Sequence, residues 1–215
     1  RSRGLGDVYK RQGLWSSAAL FGLSLFVIAP SASYAAGELQ KAIDDASEFA
    51  TVKLGPGLYE GNIVIRKPLT LVATQPSAVI KGDGKGSVVT VESSYVTIEG
   101  LEIINSGGEH QTIDSGIAVK NGFNVKIKNN KIHECLFGVN LEKSNNCVVE
   151  DNQISSKKLS LGLRGDGIRL WYSHSNLIIK NHTFQVRDNV FWYSSGNTVE
   201  KNIGRNSRYS LHFMY

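Results

Sequence analysis

The chain has 215 residues, with 22 glycines, 4 prolines and 9% aromatic residues. This composition is typical of a β-rich globular protein and excludes an intrinsically disordered one. The formal net charge is +5, but lysine and arginine are interspersed with aspartate and glutamate. Because no basic block stands out, the charge predicts a solvated surface and no nucleic-acid partner.

The first predicted segment is an export signal. Basic residues precede an apolar stretch at 14–29, and a proline and small residues follow it. This order is typical of a secretory signal peptide, and the apolar stretch is short for a membrane span. We therefore predict a signal peptide at 13–35 with cleavage near Ala35, and a mature protein that does not span the membrane. Residues 1–12 lack an initiating methionine and are predicted to be a non-native leader.

A short amphipathic helix is predicted next. The stretch ELQKAIDDASEF places Leu39, Ala42, Ile43 and Ala46 on one helical face. Open strand edges invite pairing with other chains, and a helix that covers them prevents it. We expect this helix to cap the N-terminal end of the repeat that follows.

From about residue 60 one pattern recurs, in which two alternating apolar pairs are separated by a few polar residues. A period of two indicates a strand with one buried face, so Ile168/Leu170 and Val190/Trp192 are predicted to point inward. The first members of these two pairs are 22 residues apart. A strand-rich repeat of this length predicts a right-handed parallel β-helix, with glycine and asparagine at the corners of its coils.

The predicted domain spans residues 36–215. Its fold class is all-β, a single-stranded right-handed parallel β-helix of the pectin-lyase type, with about six coils of ~22 residues. The apolar pattern is still running at Phe213, which predicts a domain truncated at its C-terminus, because repeat proteins need a cap.

Asparagine recurs at or beside one corner of the predicted coils. The residues are Asn129, Asn130, Asn152, Asn181 and Asn202. Asparagine tolerates the left-handed backbone conformation, and stacked amides hydrogen-bond from coil to coil. We predict a structural role for them and no chemistry.

Two cysteines, Cys135 and Cys147, occupy different positions in the repeat. An even count in an exported protein permits a disulfide. The different positions favour two separate buried thiols over a bridge, and a copper thiolate is a third interpretation.

Large side chains are predicted on the outer face of the last three coils. They are Arg169, Trp171, Phe191, Tyr193, His212 and Met214. Equivalent positions on adjacent coils lie ~4.8 Å apart. Aromatic residues with arginine match the composition of interface hot spots, so we predict a partner-binding surface. The alternative is a stacked ladder that only stabilises the coils.

Two acids precede strands of adjacent coils, Asp166 and Asp188. At a separation of ~5 Å they would suit the acid pair of a glycosidase. The favoured interpretation is turn-capping aspartates paired with an arginine such as Arg187 or Arg164, because no third acid, activated histidine or metal cage accompanies them.

The strings GDGIRLWYSHSN, RDNVFWYSSGNTVEKN and SRYSLHFMY at 165–215 resemble the NosD family. Members of that family are periplasmic, copper-associated maturation proteins of nitrous oxide reductase. The resemblance implies a non-enzymatic periplasmic scaffold that works with an ABC transporter, comprising a permease and an ATPase, and with a copper chaperone. It also implies transient copper binding, for which His212 and Met214 supply ligands suited to Cu(I). The alternative function is a carbohydrate-binding or carbohydrate-cleaving β-helix that uses Asp166 and Asp188, with Trp171 and Tyr193 as a sugar platform.

Overall fold

The computed structural model describes residues 25–28 and 33–215. The chain winds into a β-helix with three parallel sheets, to which successive coils each add one strand. Among the described residues seven coils contribute to all three sheets, one more than the roughly six predicted. The predicted all-β parallel β-helix is confirmed.

All three sheets consist of short strands. The first sheet contains β1 (Leu25–Ile28), β3 (Thr51–Leu54), β6 (Thr70–Ala73), β9 (Thr97–Glu99), β12 (Lys126–Lys128), β15 (Val148–Glu150), β18 (Leu177–Ile179) and β21 (Thr198–Glu200). The second contains β2 (Ser33–Tyr34), β4 (Gly57–Glu60), β7 (Ala78–Lys81), β10 (Glu102–Ile104), β13 (Lys131–Cys135), β16 (Gln153–Ser156), β19 (His182–Phe184) and β22 (Ile203–Arg205). The third contains β5 (Ile63–Ile65), β8 (Val89–Val91), β11 (Ser115–Lys120), β14 (Phe137–Glu142), β17 (Ile168–Trp171), β20 (Asp188–Trp192) and β23 (Tyr209–Met214).

The core fills the inside of the coils with stacked apolar side chains. In the third sheet one inward column runs Val91, Val119, Leu141, Leu170 and Phe191, each no more than 1% exposed. Alternate residues of each strand point inward, so every coil adds one layer to the column. The outward residues between them form the surface on which the candidate site lies.

One predicted register is wrong. Leu170 pairs with Phe191 and Trp171 with Trp192, so this coil advances by 21 residues and not by 22. Phe191 is therefore a core residue, whereas Trp192 lies outside beside Trp171. Val190 is buried, but it lies on the outer face, beneath the groove described below.

Asn189 is the physical reason for the shift, because it takes the inward position where an apolar residue was expected. Its Oδ1 accepts the backbone N–H of Ile168 at 2.9 Å, and its Nδ2 donates to Thr183 Oγ1 at 2.9 Å. Both polar ends of the amide are satisfied, so the side chain is tolerated in the interior.

The asparagine ladder is confirmed. In the series Asn130, Asn152, Asn181 and Asn202, each later Oδ1 accepts both the backbone N–H and the side-chain amide of the preceding asparagine, at 2.9–3.0 Å. Asn129 beside it has a φ of 54°, the left-handed conformation predicted for this corner. The ladder ties successive coils together inside the corner.

The predicted capping helix is also confirmed, as α1 (Glu38–Asp45). It buries Leu39, Ala42 and Ile43. Gln40 covers the open edge of the third sheet, because its Oε1 accepts Val64 N–H at 2.7 Å and its Nε2 donates to Val64 O at 3.0 Å. The first strand of that sheet therefore has its backbone paired.

The predicted leader at 1–12 and much of the predicted signal peptide at 13–35 lie outside the described residues. The described part of 13–35 supplies β1 and β2, which pair with β3 and β4. The ring of Tyr34 stacks on that of Tyr59 with 4.3 Å between centroids. Within 25–28 and 33–215, no helix has the length and apolar character needed to cross a membrane.

Cys135 and Cys147 are free and buried, as predicted. Burial raises the pKa of each thiol to about 11. A metal needs the thiolate, so two protonated thiols in the core do not favour the copper thiolate interpretation.

Candidate functional site

A groove of about 350 Å³ lies on the outer face of the third sheet, where β17, β20 and β23 follow one another. Its lining residues are His110, Ile113, Phe137, Asp166, Arg169, Arg187, Asp188, Val190, Trp192, Arg208, His212 and Met214. The loop before β11 forms one wall. There the ring of His110 meets that of Phe137 edge-on at 5.5 Å, and His110 Nε2 lies 3.0 Å from Leu163 O in the loop between β16 and β17. The β16–β17 loop thus braces the wall of the groove.

Two outward columns run along this face, and their members on the last coils supply the floor of the groove. Asn140, Arg169, Val190 and His212 follow one another in register on adjacent coils. The second column consists of Glu142, Trp171, Trp192 and Met214. The large side chains are therefore concentrated on the last three coils, as predicted, although Val190 and Trp192 occupy the positions predicted for Phe191 and Tyr193.

Asp166 and Asp188 are each paired with an arginine of the following coil. Arg187 Nε and Nη2 donate to the two oxygens of Asp166 at 3.1 and 3.2 Å. Asp188 accepts hydrogen bonds from Arg208, and from the backbone N–H of Tyr209 at 3.0 Å. Arg187 Nε also lies 4.0 Å from Asp188, so one guanidinium stands between the two carboxylates. The favoured prediction, aspartate paired with arginine, is confirmed for Arg187.

The pKa values of the two carboxyl groups are shifted in opposite directions. Burial raises the pKa of Asp166 and outweighs the opposing effect of the Arg187 guanidinium. Burial also works to raise the pKa of Asp188, but the hydrogen bonds from Arg208 and Tyr209 N–H outweigh it and the pKa is lowered. These carboxylates already hold arginine donors, and neither is free to act as a nucleophile without losing a salt bridge.

An aromatic cluster borders the groove. Trp171 contacts Trp192 edge-on at 4.8 Å, and Tyr172 stacks on Tyr193 at 4.9 Å. Trp192 and Tyr193 also lie nearly parallel, with centroids 6.0 Å apart. Such pairs contribute about 0.5–1.5 kcal/mol each beyond area burial, so the cluster stabilises the outer face of these coils.

Two of the predicted surface residues lie elsewhere than expected. Phe191 was predicted to point outward and is instead 1% exposed in the core, packed against Phe213 at 5.5 Å. Tyr193 is 42% exposed, but it lies at the turn after β20 with a φ of 49°, beside Tyr172 and outside the Trp171 column. The one-residue shift in β20 explains both errors, because it moves every side chain of that strand to the opposite face.

His212 and Met214 lie on the same outer face of β23, two residues apart. The Nδ1 atom of His212 is buried without a hydrogen-bond partner, 3.7 Å from Asp188 Oδ2. In the part of the chain that the structure describes, no group of three or more His, Cys, Asp or Glu side chains is arranged to hold a metal. His212 and Met214 offer one imidazole and one thioether on this face, donor types that Cu(I) accepts.

Sequence reasoning missed Trp192, Arg208 and the wall residue His110. The arginines carry a readable signal, since Arg187 and Arg208 are 21 residues apart and each lies beside the start of a third-sheet strand. His110 lies in a loop with no repeat pattern, so only the fold reveals its position.

Comparison with known proteins agrees with this fold. A family model described as a right-handed β-helix region matches residues 78–184. A second model, described as periplasmic copper-binding protein (NosD), matches residues 155–215, the segment that carries β17, β20 and β23. The β-helix is thus right-handed, as predicted.

Two curated relatives carry the name probable ABC transporter binding protein NosD. The one from Pseudomonas aeruginosa is 33% identical over 137 residues, covering 63% of this chain and 32% of that protein. The one from Stutzerimonas stutzeri is 28% identical over 138 residues, covering 63% of this chain and 31% of that protein. The chain thus spans about a third of the length of these relatives.

Solved structures share the fold. An alginate lyase from Paenibacillus superposes with a TM-score of 0.67 at 18% identity, covering 80% of this chain and 65% of its own. The A-module of a mannuronan C-5 epimerase from Azotobacter vinelandii gives a TM-score of 0.64 at 18% identity, covering 80% of this chain and 52% of its own. At this identity the likeness establishes the pectin-lyase type of fold alone.

Proposed function

We propose that the chain is a NosD-type periplasmic accessory scaffold for the maturation of nitrous oxide reductase, and its matches to the NosD family model and to the NosD relatives support this. It assists copper-site assembly together with an ABC transporter permease and ATPase and with a copper chaperone, and it catalyses no reaction itself. The observation that carries the proposal is the overlap between the family match and the groove. The segment that matches the copper-binding family model is the one that carries the groove, with His212 and Met214 on its floor.

Copper is the cargo in this proposal. His212 supplies one imidazole nitrogen and Met214 one thioether sulfur, both from β23. Two soft donors bind Cu(I) without enclosing it, and this suits a protein that receives the ion from one partner and passes it to another. His212 Nδ1 lies 3.7 Å from Asp188 Oδ2 with no hydrogen bond between them, so the carboxylate is near the ring without fixing its orientation.

The aromatic cluster is the proposed docking surface for protein partners. Trp171 and Trp192 are half-buried and held by each other, so docking freezes few new rotamers. Truncation of such an anchor typically costs about 2 kcal/mol or more, a loss of about thirtyfold in affinity. Arg169, Tyr193, His212 and Met214 complete the surface that we propose.

Export is part of the proposal. A periplasmic protein needs a signal, and the segment 13–35 with cleavage near Ala35 would supply it. N-terminal sequencing of the protein recovered from the periplasm tests this, with a first residue at Ala36 expected. A mature chain that begins at or before Leu25 would contradict it.

The carbohydrate-cleaving alternative rests on Asp166 and Asp188. Both carboxylates are buried and paired with Arg187 and Arg208, and this arrangement opposes catalysis by them. Incubation with polygalacturonate and alginate tests the alternative, because cleavage would create new reducing ends. We expect none, and an increase that Asp166→Asn abolishes would overturn the non-enzymatic assignment.

The decisive test measures the copper content of nitrous oxide reductase in a denitrifying host. The host's own NosD gene is replaced by the gene for this protein, and the reductase is then purified and its copper content measured. We expect Trp171→Ala with Trp192→Ala, and separately His212→Ala with Met214→Leu, to leave the reductase depleted of copper. The control is Phe184→Ala, an exposed aromatic on the second sheet of the same coils. Full copper loading with all four of these residues replaced would overturn the proposal, provided circular dichroism shows the variants folded.

A further inference from the structure

Arg169 lies half-buried in the groove without a counter-ion. Its Nη1 donates one hydrogen bond, to Asn140 Oδ1 at 2.9 Å, and its guanidinium lies 5.1 Å from the centre of the Trp171 ring. Among the described residues no carboxylate lies within 4.0 Å of it. An arginine has five N–H donors, and a partly desolvated guanidinium normally meets a carboxylate or phosphate.

The neighbouring carboxylates do not supply a counter-ion for Arg169. Asp166, three residues before Arg169 and ahead of β17, is held by Arg187, and Asp188 is held by Arg208. Burial lowers the pKa of Arg169, while the more distant carboxylates of Asp166 and Glu142 act in the opposite direction. The groove thus has three arginines for two carboxylates, and the positive charge in excess belongs to Arg169.

We propose that Arg169 binds a single carboxylate side chain, from an aspartate or glutamate that a partner protein inserts into the groove. The guanidinium fork offers two parallel N–H donors to such a group, and the ring of Trp171 beneath it holds the fork in place. The proposal deepens the docking role proposed above, and it rests on that role for the groove being a partner surface.

The count of unpaired cations favours a protein side chain over an acidic polysaccharide. A polyuronate carries a carboxylate on every sugar and needs a row of free cations along its path. Here the next two arginines in the groove, Arg187 and Arg208, are already neutralised. A single free guanidinium beside Trp171 and Trp192 suits one acidic side chain with apolar neighbours. Arginine and tryptophan together are typical of hot spots in protein interfaces.

The experiment needs neither copper nor the reductase, so its failure is distinguishable from failure of the maturation role. The purified chain is titrated with acetyl-Gly-Glu-Gly-amide and with the matched acetyl-Gly-Gln-Gly-amide, followed by NMR of the Arg169 Nε–H and of the backbone amide of Val190. We expect saturable shifts with the glutamate peptide, at least about tenfold weaker binding of the glutamine peptide, and weakening as NaCl rises from about 0.15 to 1 M.

Two variants localise the effect. Arg169→Gln should weaken the glutamate peptide at least about tenfold, read on Val190, whereas Arg205→Gln, an exposed arginine on the second sheet, should leave it unchanged. Equal binding of the two peptides by the unsubstituted chain would overturn the proposal, and that comparison holds even if Arg169→Gln fails to fold. Trigalacturonate is the third probe, and tighter binding of it through Arg169 would overturn the assignment to a protein partner.

Discussion

Removal of one amide from the asparagine ladder tests how the coils are held together. Asn152 is fully buried and makes four side-chain hydrogen bonds. Its Oδ1 accepts the backbone N–H and the Nδ2 of Asn130, each at 3.0 Å. Its Nδ2 donates to Ile127 O and to Asn181 Oδ1, each at 2.9 Å. Asn152→Ala removes all four bonds and leaves buried groups on both neighbouring coils without partners.

The magnitude follows from these contacts. Each lost bond costs about 0.5–1.5 kcal/mol, and more where a buried group is left unsatisfied, so we expect Asn152→Ala to lower the free energy of unfolding by about 4 kcal/mol. Gln153→Ala is the matched control, because it removes the neighbouring exposed amide and should change stability by less than about 0.5 kcal/mol. The assay is urea unfolding followed by circular dichroism. A loss below about 1 kcal/mol for Asn152→Ala would refute the view that the ladder holds the coils together.

Three further predictions concern the core, the acid limb and the thiols. Phe191→Ala should cost about 3–5 kcal/mol in urea unfolding and Trp192→Ala clearly less, and the reverse order would contradict the register of β20. The pKa of Asp188 is lowered in the folded state, so its contribution to stability is present above its unfolded pKa and is lost as pH falls through the folded value. Asp188→Asn should therefore reduce the loss of unfolding free energy as the pH falls. The same loss at acid pH in the variant and in the unsubstituted chain would count against this. Cys135 and Cys147 should resist a thiol reagent at neutral pH until the chain unfolds, and prompt labelling of the native chain would contradict their burial.

The fold was predictable because a β-helix repeats one physical rule many times. Strand pairs such as Ile168/Leu170 alternate with period two, and the corner asparagines recur at the same place in each coil. The pattern of one coil alone fits more than one fold, but the same pattern in several coils fits a β-helix. The rule fails where a polar residue takes an inward position, as Asn189 does. Its amide finds partners inside the coil, and hydropathy alone cannot reveal that.

The candidate site was predictable only in part, for the same reason. His212 and Met214 were placed correctly because the apolar residues between and beside them, Leu211 and Phe213, mark the inward face of β23. Phe191 was placed on the wrong face by the shift that Asn189 causes. The lack of a counter-ion for Arg169 has no signature in the sequence, since it depends on which arginines pair with which aspartates across coils.

X-ray absorption at the copper edge tests the central claim most directly. The protein is loaded with Cu(I), and the atoms bound to the metal are identified in the unsubstituted chain and in Met214→Leu and His212→Ala. The chain has a single methionine, so a thioether sulfur in the copper shell has one source. The account predicts one sulfur and one imidazole nitrogen, with the sulfur lost in Met214→Leu and the imidazole lost in His212→Ala. A copper shell that is identical in all three proteins would contradict it.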